Sequence, residues 1–365
     1  MSTEKGWDEM KKWISIFLAL CMLFLMCSCS TAQKETKQLS AETEEEKERT
    51  VKIGLSCDSF VIERWIRDRD VFVATAKKLG AEVNVQNANG SVKEQISQIQ
   101  YLIDKSVDVL VVIAGDCSEL SDIMRAAKDK GIKTISYDRM ILNAGTDLYV
   151  SFNNERVGTL MGQSLKKNIP EGGEIFMIQG SEEDSNVQVV RKGFEEEIKD
   201  SNLKVVYKAN CDGWIAEQAV DYMEEALKKY PDVKGVMCGN DDIASQVVRV
   251  LSEHRLAGKV KVVGQDGDLA ACQRIVEGTQ TMTAFKSVEI LAKAAARYAV
   301  RMAKGEKLDR VYSSIMDGTG EIPFFMIQPI AVTKDNMDEI IVDAGVHSEE
   351  DVYLNVPKKM TEDKV

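Results

Sequence analysis

Arginine, aspartate, asparagine and lysine recur at the ends of short apolar runs in this chain, and their chemistry can be read before any fold is assigned. The polar positions are Arg64, Asp138, Arg139, Asp184, Asn186, Asn240, Asp266 and Lys286. Carboxylates accept hydrogen bonds, guanidinium and ammonium groups donate them, and a carboxamide does both. Trp65 and Trp214 add flat apolar faces, each with an N–H at its edge, in a chain only 6% aromatic. A sugar presents the complement: hydroxyls that donate and accept, separated by patches of C–H. The set therefore points to a small polyhydroxylated ligand. Helical spacing alone also allows Trp65 to be a core residue of an amphipathic helix.

Bond-making chemistry is not marked in the same way. There is no G-x-S-x-G elbow and no Walker A loop. No G-x-G-x-x-G follows the first apolar run, so no dinucleotide cofactor is expected. The two histidines, His254 and His347, have no histidine four residues on. Beyond residue 50 the cysteines are Cys57, Cys117, Cys211, Cys238 and Cys272, with no C-x-x-C spacing, so neither a metal site nor a thiol redox site is indicated. Their odd count leaves at least one unpaired, and buried inert thiols are expected. Carboxylates are plentiful enough for glycoside hydrolysis, but no particular pair stands out. A net charge of −12 argues against nucleic acid as a partner, since a phosphate backbone needs clustered Lys and Arg.

These side chains need elements to position them. Short apolar runs predict strands at 51–55, 82–86, 108–113, 133–137, 174–178, 204–207, 235–237, 260–263 and 281–284. Amphipathic stretches between them predict helices at 62–79, 92–105, 120–130, 185–199, 215–229, 243–254, 269–276 and 288–304. Repeated βα units imply parallel sheets with right-handed crossovers. They are too many for one ordinary open sheet. The expected fold is α/β, with two doubly wound parallel-sheet lobes; a (β/α)8 barrel is the alternative. Ligands of open parallel sheets bind beyond the carboxyl ends of strands. Except for Arg64 and Trp65, which fall in the predicted helix at 62–79, the candidate residues lie there, with Asp58, Asp116, Asn153, Asn154, Asp212, Asp241 and Asp242 in similar positions.

The N-terminus reads as an address. Lys11 and Lys12 precede an apolar run over 13–26 and then Cys27-Ser28-Cys29-Ser30. The run is short for a transmembrane helix and fits a secretory signal, 1–28, with Met10 as a plausible start. Cys29, after the small Ser28, fits the lipid-accepting cysteine of a bacterial lipobox. Acylation there would anchor the protein to the membrane. Residues 29–50 are polar and aperiodic and read as a disordered tether.

Certain stretches carry a family resemblance. They are Glu63-Arg64-Trp65 with Asp68-Arg69-Asp70, Tyr137-Asp138-Arg139-Met140-Ile141, and Ser151-Phe152-Asn153-Asn154-Glu155 with Val157-Gly158. Asp212-Gly213-Trp214, Gly239-Asn240-Asp241, Gly264-Gln265-Asp266 and Gly278-Thr279-Gln280-Thr281-Met282-Thr283 continue the pattern. Over about 51–347 the chain resembles the type I periplasmic sugar-binding proteins, and most closely their D-xylose-binding branch, which serves bacterial ABC importers. The resemblance implies that Arg64, Asp138, Arg139, Asn186, Asn240, Asp266 and Lys286 bond sugar hydroxyls, with Asp184 beside them. It implies that Trp65 and Trp214 flank the ring. It also implies a hinge of three segments near Phe152-Asn153, Phe285-Lys286 and Met326-Ile327-Gln328. One lobe would be 51–152 plus 287–326, the other 153–286 plus 327–350, with a tail at 351–365. A monomeric, non-enzymatic receptor would then hand its sugar to the permease subunits of the importer; a sensor for a membrane kinase or chemoreceptor is the runner-up. A LacI-type regulator shares the lobes but needs a DNA-binding helix pair where this chain has its signal. Departures from the family pattern are Cys57, Ala114-Gly115-Asp116-Cys117 and Ala284-Phe285-Lys286-Ser287.

Overall fold

The computed structural model describes residues 49–62 and 64–356. The expected signal segment at 1–28, Cys29, most of the tether and most of the tail lie outside the described residues. The chain divides after Thr50, and the unit from Val51 onward is the body described below. Among the described residues no helix is long and apolar enough to cross a membrane.

The body opens with β1 (Lys52–Cys57), α1 (Arg64–Lys78), β2 (Glu82–Asn87), α2 (Val92–Asp104), β3 (Val109–Ile113), α3 (Ser121–Asp129), β4 (Lys133–Tyr137) and β5 (Leu148–Phe152). There follow α4 (Asn154–Asn168), β6 (Gly173–Gln179), α5 (Ser185–Ile198), β7 (Leu203–Asn210), α6 (Gln218–Lys229), β8 (Gly235–Cys238), α7 (Asp241–Glu253), β9 (Lys261–Asp266), α8 (Leu269–Glu277) and β10 (Met282–Phe285). The remainder is α9 (Val288–Ala303), β11 (Ser313–Met316), β12 (Glu321–Ile327), β13 (Ile330–Val332) and α10 (Glu349–Val352).

The strands form two sheets, in the orders β11-β12-β5-β4-β3-β1-β2 and β13-β10-β9-β8-β6-β7. The barrel alternative is therefore set aside. Each sheet reverses its strand order beside its first strand, at β1/β3 and at β6/β8, and such switch points open a crevice at the carboxyl ends. Every residue of β3 and of β8 is buried, as expected for parallel strands covered on both faces. The sheets are not wholly parallel. β11 pairs antiparallel with β12, and β13 with β10, at one edge of each sheet. β11 and β12 are joined by only four residues, too few for a crossover helix, and β13 enters its sheet directly from β12 through Gln328 and Pro329.

The chain passes between the sheets after Phe152, after Phe285 and after Ile327. Two passages are tied together: Asn153 N–H donates to the Ile327 carbonyl at 2.8 Å, and its side chain reaches Gln328 at 3.3 Å.

In the second lobe, α4 and α5 touch along glycines. A Cβ on Gly158 would lie 1.9 Å from the Val190 carbonyl oxygen, and one on Gly193 would lie 2.0 Å from that of Glu155. Backbone cannot yield as a side chain can. Gly158→Ala is expected to cost about 3 kcal/mol by overpacking. A thermal melt should show a transition several degrees lower; an unchanged midpoint would contradict this packing.

Candidate functional site

Arg64 and Trp65 occupy the first turn of α1 and are buried. The Arg64 guanidinium donates to both oxygens of Asp68, one helical turn on, at 3.1 and 3.0 Å. It also lies 3.0 Å from Asp138 and 3.7 Å from Asp266. Tyr137 O–H donates to Asp68 from behind. Arg64 and Arg139 sit over the Trp65 ring at 4.5 and 5.5 Å from its centre. Trp65 is thus both a core residue and the floor of a charged cluster.

Asp138 ends β4 in a left-handed conformation, φ 60°. Tyr149 O–H, Ser151 O–H and the Asn186 amide all donate to its carbonyl, at 2.8, 2.7 and 3.1 Å. The same amide reaches the Asp138 carboxylate at 3.1 Å, linking the two lobes. Arg139, only 2% exposed, donates to Asp58 at 3.0 Å and to the Ala114 carbonyl at 2.8 Å. Its Nε lies 2.8 Å from Asp184, a second link between lobes. The Ala114–Cys117 stretch, where this chain departs from the family pattern, therefore touches the arginine directly.

From the second sheet, Asp184 caps α5 and accepts the Asn186 N–H at 2.9 Å. The Asn154 side-chain amide donates through Nδ2 to Asn186 Oδ1 at 2.8 Å, fixing which way the Asn186 amide faces. Trp214 closes a short 3-10 turn after β7, with φ of 60° at both Gly213 and Trp214. Its ring lies on Gly180, where a Cβ would come within 2.3 Å of it. Trp214 shares a cavity with Gln179, Gly180, Asn186, Gly239 and Gln265. Asn240 caps α7 by accepting Ile243 N–H at 2.9 Å. Asp266 ends β9 with φ 106° and pairs with Lys286 at 2.8 Å.

The electrostatics follow from burial. Burial pushes the Asp184 carboxyl up, against the pull of Arg139. It likewise pushes Asp68 up, against Arg64. At Asp138 burial acts upward too, but Arg64, Lys286 and Arg139 together bring the carboxyl below its usual range. Removing charges from water is costly unless partners compensate. The compensation is incomplete here. Trp65 Nε1, Trp214 Nε1 and Asn240 Nδ2 are buried donors, and Gln265 Oε1 a buried acceptor, without hydrogen-bond partners among the described residues. Asp138 Oδ2, Arg139 Nε and Asp266 Oδ1 keep charged neighbours but no well-aligned hydrogen bond. Native proteins leave few such groups, and a cluster of them calls for an external partner.

The structure brings the ten candidate residues to the facing carboxyl ends of the two sheets. Other strand-end residues do different work. Asp116 caps its own turn through Ser118 N–H and Glu119 N–H, and Asn153 caps α4. Asp58, Asp68 and Gln265 join the cluster; Asp58 is one of the strand-end residues, whereas Asp68 and Gln265 stand in the sequence only within the stretches that carry the resemblance. Asp68 carried a signal, its spacing of four from Arg64. The five cysteines are buried and unpaired, and burial pushes the Cys57 and Cys211 thiols up to about 12, which keeps them unreactive.

Two doubly wound lobes, three crossings and a buried polar cleft define a bilobal binding protein. Residues 53–307 match the family model described as the periplasmic binding protein domain, and the chain belongs to that family. It is similar to the D-xylose-binding periplasmic protein of Haemophilus influenzae, 43% identical over 308 residues, covering 83% of this chain and 92% of that one. The D-xylose-binding periplasmic protein of Escherichia coli is 37% identical over 343 residues, covering 93% and 99%. Among solved structures, an ABC transporter solute-binding protein from Clostridium phytofermentans with bound β-D-glucose superimposes with a TM-score of 0.76 at 26% identity, covering 82% of this chain and 99% of that one.

Proposed function

We propose that this protein is a receptor that captures one monosaccharide, D-xylose, in the cleft between its lobes and delivers it to an ABC importer. The observation that carries this reading is the cluster of buried, unmatched polar atoms between Trp65 and Trp214. It contains donors and acceptors together, as a ring of hydroxyls requires. The tryptophans supply faces for the C–H side. The D-xylose-binding relatives agree with this in name.

In this reading Arg64, Asp138, Arg139, Asp184, Asn186, Asn240, Asp266 and Lys286 bond the hydroxyls, and Trp65 and Trp214 flank the ring. Lobes 51–152 plus 287–326 and 153–286 plus 327–350 close by rotation at the three crossings. The receptor acts as a monomer, held at the membrane by a lipid on Cys29 and the 29–50 tether. Binding needs no chemistry on the sugar. The ligand contributes only its differential affinity for the closed form.

Direct contacts add to closure. Cys117 N–H donates to the Glu183 carbonyl at 3.0 Å, and Met140 N–H donates to Ser185 Oγ at 3.2 Å. Both bonds span the cleft and require the lobes to be shut. Small-angle scattering is expected to show a smaller radius of gyration with D-xylose than without. Identical profiles would contradict a closing receptor.

A further inference from the structure

Behind the proposed sugar-binding residues lies a second buried network, built on a carboxylate that touches none of them through its own side chain. Asp241 is 1% exposed. Its Oδ2 accepts from Gly267 N–H at 2.9 Å, Asp268 N–H at 3.2 Å and Thr283 O–H at 2.7 Å. Its Oδ1 accepts from the Gln280 amide at 2.9 Å. Gln280 is oriented in turn by Arg274, whose Nε donates to it at 2.9 Å and whose Nη2 donates to the Asp241 carbonyl at 3.1 Å. Only glycine fits at 264, since a Cβ there would stand 2.3 Å from Asp241 Oδ1. Burial pushes this carboxyl up to about 6, and the donors that converge on both of its oxygens favour the ionised form, which only accepts.

The network ends on the two residues that follow Asp266. Asp266 has φ 106°, a conformation side chains rarely adopt, and it persists only where surrounding structure holds it. The Gly267 N–H and Asp268 N–H are that hold. Gly267 N–H also donates to Thr283 Oγ1 at 3.1 Å, and His347 meets the Gly267 carbonyl at 2.8 Å.

We infer that Asp241 is a positioning residue for the sugar: with Thr283 and Gln280 it pins the backbone after Asp266, and so aims the Asp266 carboxylate at Lys286, Arg64 and the ligand. The inference rests on the receptor reading above. It also gives a task to the Gly278–Thr283 motif, which supplies two of the donors but no residue of the proposed sugar site.

The test is calorimetric titration of the purified protein with D-xylose. Thr283→Val keeps the shape of the side chain and removes the O–H, whereas Thr283→Ser keeps the O–H. Thr283→Val is expected to weaken binding about tenfold and Thr283→Ser by less than about twofold. Asp241→Asn, which offers Oδ1 but replaces one acceptor with a donor, is expected to weaken it by about thirtyfold or more. The decisive arm is the Asp266→Asn background. If Thr283 acts through Asp266, Thr283→Val there should add less than about twofold, a non-additivity that a general loss of stability would not produce. Wild-type affinity in Thr283→Val, or an undiminished loss in the Asp266→Asn background, overturns the inference while leaving the receptor reading standing. A wild-type protein that binds no D-xylose overturns that reading and the inference with it.

Discussion

Arg139→Ala is expected to weaken D-xylose binding about a thousandfold, beyond the range of ordinary titration if the parent binds in the micromolar range. The size of the effect comes from what the guanidinium leaves behind. Arg139 joins Asp58, the Ala114 carbonyl and Asp184 across the cleft, at 2% exposure. Without it the buried Asp184 carboxylate, the half-buried Asp58 carboxylate and the Ala114 carbonyl lose their shared cation, and a broken buried pair typically costs 3–5 kcal/mol, at about 1.4 kcal/mol per tenfold. The closed form suffers most, because the Asp184 partner belongs to the other lobe. Arg139→Lys is expected to recover little, since one ammonium cannot reach three partners in a planar fork. Far-ultraviolet circular dichroism would establish that the variant is folded. A folded Arg139→Ala that binds within tenfold of the parent would contradict the assignment of this residue.

Gly180→Ala is the second large effect, and it acts without touching a polar group. The Cβ would lie 2.3 and 2.4 Å from carbons of the Trp214 six-membered ring, where carbon–carbon contact needs about 3.5 Å. Gly180 has no positive φ to relieve, so the backbone accepts alanine and the ring must move instead. A shift of about 1 Å carries the indole into the space assigned to the sugar and is expected to cost about a hundredfold in affinity. Past residue 28 the only tryptophans are Trp65 and Trp214, so the intrinsic fluorescence of protein produced from residue 51 onward reports on both walls of the cleft. D-xylose should alter the parent's emission. The Gly180→Ala variant should show a changed emission without sugar and little response at concentrations that saturate the parent. A normal response would mean that Trp214 does not flank the ring.

Much of this architecture was legible because it rests on local pattern. The buried run at Val109–Ile113 and the amphipathic stretch at Val92–Asp104 announce their elements through residue type alone. The strand-end rule then gathers Asp138, Arg139, Asn240 and Asp266 without knowledge of their contacts. β5 and α4 were not assigned, although β5 is wholly buried: Leu148-Tyr-Val-Ser-Phe is too short and too mixed to stand out, and the Asn153 cap follows at once. β11, β12 and β13 escaped for a different reason. They are edge or hinge strands with irregular burial, and antiparallel pairing leaves no βα signature.

The site shows the same division. Residues that carry charge at strand ends could be picked out by type. Residues that act through geometry could not: Gly180 matters through a ring 34 positions on, and Asp241 through backbone N–H groups 26 and 27 positions on. The left-handed conformations at Asp138, Trp214 and Asp266 are likewise invisible in residue type, because each follows from tertiary bonds that hold the backbone there.

Isothermal titration of the purified protein with D-xylose, D-ribose, D-glucose, D-galactose and L-arabinose tests the central claim most directly. The expected result is one-to-one binding of D-xylose, tighter than any of the other four. Absence of binding to D-xylose, whether another sugar binds or none does, would contradict the account.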